Sequence, residues 1–185
     1  MNNITTAGII NQPFYENTNQ LSSSLGRYLW GIVGLGVFDS IKGKIKNPTI
    51  GLDPNRKKKI ITAQYSQTLE LLKRDLKKIQ NGELIHAGGA GYKVLCVIDG
   101  QADCYVYTRN GTIRWDTCAP EALLRSLNGQ LTDVFGNDYC YANNNPKDLT
   151  TIENQYGIVA TCETTSYYCS FLSDELKEQV INDKF

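Results

Sequence analysis

The chain is poor in the residues that carry imidazole and zinc chemistry. It has one histidine, His86, with no second histidine to share a metal or relay a proton, so a structural or solvent-facing role is expected for it. Six cysteines stand at 96, 104, 118, 140, 162 and 169, yet no pair has Cys-x-x-Cys spacing. Neither a zinc site nor a disulfide framework is supported. Cys96 and Cys104 lie in apolar surroundings and read as buried free thiols, which points to a reducing compartment and a cytoplasmic protein. No stretch approaches the roughly 20 apolar residues of a membrane span. The start, Met1-Asn2-Asn3-Ile4-Thr5, lacks the basic and apolar segments of a signal peptide, so no membrane partner is expected. Charge of one sign is also missing. With 19 basic and 19 acidic residues there is no global field to hold long nucleic acid. The local run Arg56-Lys57-Lys58-Lys59 reads as a solvated loop.

At 185 residues, the chain can bury a full core. Residues 7–15 and 27–38 are rich in strand formers around a polar turn at 16–24, and read as a hairpin or neighbouring strands. Residues 39–59, broken by Pro48, Gly51 and Pro54, read as loop or linker. A short strand at 60–64 precedes a helix capped by Ser66, with Leu69, Leu72, Leu76 and Ile79 at helical spacing and a stop at Asn81-Gly82. A strand near 84–87, a helix at about 91–99 closed by Gly100, and an alternating strand at 102–108 follow. Late strands are expected at 131–134 and 157–161, with a last helix capped by Ser173 and carrying Leu176 and Val180. Strands alternating with helices predict a layered α/β fold.

Two local motifs carry chemistry. Trp115-Asp-Thr-Cys-Ala-Pro120 leads into Ala122, Leu123, Leu124 and Leu127 and stops at Asn128-Gly129. A proline is tolerated in a helix's first turn, so Pro120 is expected to open a helix, with Asp116 in the field of its N-terminus. There Asp116 serves either as a plain cap or as a hard ligand for Mg²⁺. The second motif, Ala87-Gly-Gly-Ala-Gly-Tyr-Lys93, opens onto Val94, Leu95, Val97 and Ile98. Small residues ahead of a helix let an anion reach free N–H groups, and Lys93 adds a positive charge one turn in. Close helix–sheet packing would use the same glycines.

Taken together, Gly88-Gly-Ala-Gly-Tyr-Lys93, Trp115-Asp-Thr-Cys-Ala-Pro-Glu121, Gly129-Gln-Leu-Thr-Asp133 and Gly136-Asn137 resemble the lithium-sensitive, Mg²⁺-dependent phosphomonoesterase superfamily. Within it the chain is most similar to the 3′(2′),5′-bisphosphate nucleotidases. Gly8-Ile-Ile-Asn-Gln-Pro-Phe14 and Gly26-Arg-Tyr-Leu-Trp-Gly-Ile-Val-Gly-Leu-Gly36 extend the match upstream. The inositol polyphosphate 1-phosphatases share Asn-Gln-Pro-Phe-Tyr and Gly-Ala-Gly-Tyr-Lys. Gly-Leu-Gly after Trp-Gly and Ala-Pro-Glu after the Trp-Asp pair favour the nucleotidase.

The resemblance implies a layered α-β-α-β-α sugar-phosphatase-like fold. The chain would supply its C-terminal α/β domain, residues 60–185, and the last strands of its N-terminal sheet, residues 1–38, joined by the linker 39–59. Cut from their neighbours, those strands would leave an exposed apolar edge. It implies Mg²⁺ as cofactor with Asp116 as metal ligand, and Gly89, Ala90 and Lys93 as substrate contacts. A phosphate ester, adenosine 3′,5′-bisphosphate or an inositol polyphosphate, is the implied ligand. Trp115 is expected to pack instead of stacking on a base. The family's metal-binding Glu, its Asp-Pro-Leu/Ile-Asp-Gly-Thr motif and its water-activating groups have no counterpart here. The lone Asp53-Pro54 continues as Asn55-Arg56-Lys57, and the chain by itself is expected to be inactive. The nucleotidases' Thr-x-Ser-His segment aligns with Gln64-Tyr65-Ser66-Gln67. Ser66 matches, but Gln64 and Gln67 replace Thr and His, and glutamine cannot carry the histidine's charge. Tyr92 stands where vertebrate-like nucleotidases tend to have Asn.

Overall fold

The computed structural model describes residues 4–16, 25–53, 55–64, 68–79, 82–142 and 153–183. Strands β1 (Ala7–Glu16), β2 (Leu25–Ile32), β3 (Gly36–Asp39) and β4 (Gly43–Ile45) form an antiparallel meander. A second sheet has the order β6-β5-β7-β11-β9, from β5 (Lys59–Thr62), β6 (Glu83–His86), β7 (Cys104–Tyr107), β9 (Gln130–Thr132) and β11 (Ile158–Thr161). In it β5 runs parallel to β6 and β7, while β11 is antiparallel to β7 and β9. A two-residue ladder joins β8 (Thr112–Ile113) to β10 (Glu153–Asn154). The helices are α1 (Leu69–Leu76), α2 (Ala90–Ile98), α3 (Arg114–Ser126), α4 (Thr165–Phe171) and α5 (Asp174–Asn182).

Successive side chains of a strand point to opposite faces, and the second sheet uses both. Ile61, Tyr105, Ile158 and Ala160 meet Val94 and Leu95 of α2, Leu123 and Leu124 of α3, and Leu29 and Val37 of the meander. Ile60, Cys104, Val106 and Val159 meet Leu72 of α1, Tyr168 of α4 and Leu176 of α5. The layers therefore run meander, α2/α3, second sheet, α1/α4/α5: the expected layered α/β fold, present as four layers. The alternation at 102–108 predicts a strand, and β7 lies there, but neither face is wet. Cys104, Tyr105 and Val106 are all buried, because helices cover both sides.

Several expectations shift. The meander continues into β4, inside the stretch 39–59 read as loop, because Gly43 turns the chain at φ 75° and lets Lys44 pair with Phe38. Helix α3 starts at Arg114, six residues before Pro120, so the proline does not open it. The start is set by extended Ile113, whose N–H donates to the Asp116 carboxylate at 2.9 Å. Asp116 thus stands in the first turn, as expected, for a different reason. Among the described residues β1 pairs only with β2, so the expected apolar edge is there, with Ile9 and Phe14 exposed on it. The meander also exposes an apolar face, where Tyr28, Trp30 and Ile32 project outward and Trp30 stacks on Phe38 at 4.5 Å. Helix α4 had not been anticipated. Ser173 caps α5 as expected, accepting from the Leu176 N–H, whereas the proposed cap Ser66 lies outside the described residues.

One buried ion cluster fastens the meander to α2. Arg27 on β2 donates through Nε to Asp39 at 2.9 Å and through Nη1 and Nη2 to Asp99 at 2.6 and 2.7 Å. Asp99 caps the C-terminus of α2, where a carboxylate faces the negative end of the helix. Arg27 and the more exposed Lys42 offset that conflict. Burial alone would raise the Asp39 pKa, but the Ile41 N–H and the Arg27 guanidinium outweigh it and hold the carboxyl below its ordinary value.

Arg27→Met should therefore destabilise the fold by about 3–5 kcal/mol, since it strands two carboxylates, as a urea titration would show. A depressed folded pKa means that Asp39 contributes stability above its unfolded pKa and loses it as pH falls through the lower folded value. Asp39→Asn should flatten the stability–pH curve below about pH 4. An unchanged acid limb would remove Asp39 from the account.

Candidate active site

The parallel strands β5, β6 and β7 end on the same side of the second sheet, and ligands of open α/β sheets bind outside such carboxyl ends. A cavity of about 670 Å³ lies there. Ala63 and Gln64 line it after β5, His86 at the end of β6 and Ala87 just beyond, and Tyr105 and Tyr107 from β7. The Gly88-Gly89-Ala90 turn and Lys93 enter from α2, and Thr112 and Asp116 from the start of α3. Two helix N-termini, 9 and 13 residues behind them, thus open onto one space.

Each end has a local cause. Gly89 caps α2 with φ 71° and ψ 127°, a conformation that L side chains rarely adopt. A Cβ there would meet only Tyr92 Cβ at 3.7 Å, so glycine is required by the backbone and not by crowding. Helix α3 is set by a close approach: a Cβ on Gly8 of β1 would meet the Ala119 carbonyl oxygen at 2.6 Å.

Lys93 is the unusual group. Only 4% of it is exposed. Its ammonium lies 3.5 Å from the Ala87 carbonyl and 4.8 Å from the centre of the Tyr105 ring. Among the described residues no carboxylate pairs with it. Burial pushes its pKa below the ordinary lysine value. A buried cation without a counter-ion is costly, and a ligand anion in the cavity would supply one. The Tyr105 hydroxyl, buried at the same place, is pushed well above the ordinary phenol value by desolvation.

The cavity collects Asp116, Gly89, Ala90, Lys93 and Gln64. Ser66 and Gln67 lie outside the described residues. Trp115, expected to pack, is 64% exposed, because its neighbour Asp116 faces the cavity. Sequence reading had not placed His86, Tyr107 or Thr112 there. His86 was read alone, but it ends β6, and its Nδ1 is 3.3 Å from the Ala63 carbonyl oxygen. Only strand alignment brings these side chains together. Cys96 and Cys104 are buried thiols, as predicted, and desolvation raises their pKa; Cys162, not singled out by the sequence, is also buried and is pushed up to about 12.

A Mg²⁺ ion takes about six oxygen ligands. Among the described residues Asp116 is the only carboxylate lining the cavity, and no group of three or more His, Cys, Asp or Glu could hold a metal. These residues fit one ligand of a metal site and not a whole one. Among the described residues no helix is long and apolar enough to cross a membrane.

Residues 1–173 match the inositol monophosphatase family. The chain is 35% identical over 175 residues to 3′(2′),5′-bisphosphate nucleotidase 1 of Mus musculus, covering 95% of this chain and 52% of that protein. It is 30% identical over 133 residues to the inositol polyphosphate 1-phosphatase of Mus musculus, covering 69% and 34%. A solved structure of SaIMPase-II with 2′AMP bound superimposes with a TM-score of 0.61 at 17% identity, over 86% of this chain and 57% of that one, which speaks for the fold. The chain spans about half the length of the bisphosphate nucleotidase it matches. It belongs to the inositol monophosphatase family.

Proposed function

We propose that this chain forms the phosphate-binding part of a Mg²⁺-dependent phosphomonoesterase of the 3′(2′),5′-bisphosphate nucleotidase type, in the cytoplasm. The reaction served is removal of the 3′-phosphate of adenosine 3′,5′-bisphosphate to give AMP. The observation that carries this reading is Lys93: a buried cation, with no carboxylate partner among the described residues, in a cavity onto which two helix N-termini open. The longer and closer match to the nucleotidase than to the inositol polyphosphate 1-phosphatase supports the nucleotide. An inositol polyphosphate is the second reading, favoured by Gln64 standing where the nucleotidases carry the Thr of their Thr-x-Ser-His segment.

The division of labour follows from the chemistry of the lining. The free N–H groups at the start of α2 and the Lys93 ammonium hold a phosphoryl group that stays on the product. Asp116, fixed by the Ile113 N–H, offers one hard oxygen ligand. Bound Mg²⁺ would screen phosphate charge and activate water. Gln64, Ser66 and Gln67 are assigned to the rest of the substrate.

With one carboxylate at the cavity among the described residues, the 185-residue chain should release no phosphate from adenosine 3′,5′-bisphosphate in Mg²⁺. Turnover on the order of 1 per second would contradict the single-ligand account. In a longer form that carries the remaining metal ligands, Asp116→Asn should keep the fold, since the amide oxygen can still accept the Ile113 N–H, while Mg²⁺ affinity in a calorimetric titration falls. Asp116→Ala should lose the cap and about 0.5–2 kcal/mol of stability.

Lys93→Met keeps the stem and deletes the charge. It should lower AMP affinity about 10- to 150-fold and leave the melting temperature unchanged or higher, because a desolvated charge is removed. In the wild type, AMP affinity should decline as pH rises through a value below the roughly 10.4 of a solvated lysine. Equal AMP binding by the variant would reduce the glycine turn to a packing device, and preference for inositol 1-phosphate over AMP would select the second reading.

A further inference from the structure

Thr112 lines the cavity from the strand that leads into α3 and is 8% exposed. Its β-ladder partner is Asn154, which is 1% exposed. The Asn154 amide donates to Thr112 Oγ1 at 3.3 Å and to Thr117 Oγ1 at 3.0 Å, and Thr117 in turn donates to the Arg114 carbonyl at 3.2 Å. Both amide hydrogens of Asn154 are thereby used, while its Oδ1 is buried with no partner. Turning the amide over would strand two N–H donors in place of one oxygen, so the orientation with nitrogen toward the threonines is the better satisfied one. A hydroxyl that accepts from an amide still has its own proton to give. Among the described residues nothing accepts the proton of Thr112.

We infer that Thr112 is a ligand-contacting residue whose hydroxyl, held as a donor by Asn154, gives a hydrogen bond to a phosphoryl oxygen in the cavity, and that Asn154 is its positioning residue. This rests on the phosphate-binding reading of the same cavity. It adds a neutral donor beside Asp116, across from the α2 turn and Lys93. An uncharged donor suits that position: it binds phosphate without competing with a cation for the Asp116 carboxylate.

The test is isothermal titration of the whole 185-residue chain with inorganic phosphate. Thr112→Val preserves shape and removes the hydroxyl, and should weaken phosphate binding about 2- to 12-fold. Thr112→Ser should restore it. Asn154→Leu should weaken binding in the wild-type background and cost nothing further in the Thr112→Val background, a non-additivity that a purely structural asparagine would not give. Should the valine variant fail to fold, Thr112→Ala is titrated in its place. Equal phosphate affinity with and without the hydroxyl, in a wild type that binds, overturns the assignment of Thr112 and leaves the proposed function standing. A wild type that binds no phosphate overturns both.

Discussion

The bond that fixes the geometry of this molecule is the one from Arg27 to Asp39 and Asp99. It holds the C-terminal end of α2 against the meander. A helix pinned at one end and packed between two sheets has little freedom to shift, so its other end, Gly89 and Ala90, is fixed where the parallel strands stop. Helix α3 is constrained differently, by the near-contact of Gly8 with the Ala119 backbone. The cavity exists because both helices are held at these positions. Placing site residues on the ends of helices held in a rigid frame is a general route to a precise site.

The same frame explains an apparent waste. Arg27 is buried with two carboxylates, whereas Lys93 is buried with none among the described residues. A buried cluster with complete hydrogen bonding holds its own charge. A lone ammonium beside an aromatic ring does not, and its pKa falls. The first arrangement belongs to the architecture and the second to a ligand. The Asp116 carboxylate shares this double character, since one oxygen accepts from Ile113 while the group faces the cavity.

What was legible in the sequence was what is local. The glycine turn before α2 and the Trp-Asp run in the first turn of α3 are each legible within six or seven residues, and both stand at the cavity. Pro120 misled, because a first-turn preference is weaker than a cap made by Asp116 on an extended Ile113. Strand β4 escaped notice because three residues, two of them exposed and one a glycine, carry no alternation to read. Thr112, His86 and Tyr107 were hidden for a deeper reason. Their meeting depends on strand register and on the crossover between β6 and β7, which no window of sequence contains. Arg27 likewise finds Asp99 across 72 positions.

The central claim, that an anion is held between the start of α2 and the start of α3, is tested most directly by amide chemical-shift mapping. Nitrogen-15-labelled protein would be titrated with AMP, and every backbone N–H followed. The account predicts that the largest shifts fall on Gly88 to Lys93 and on Thr112 to Asp116, with the amides of the meander unmoved. Shifts centred on the outward face around Trp30 and Phe38, or spread without focus, would contradict it.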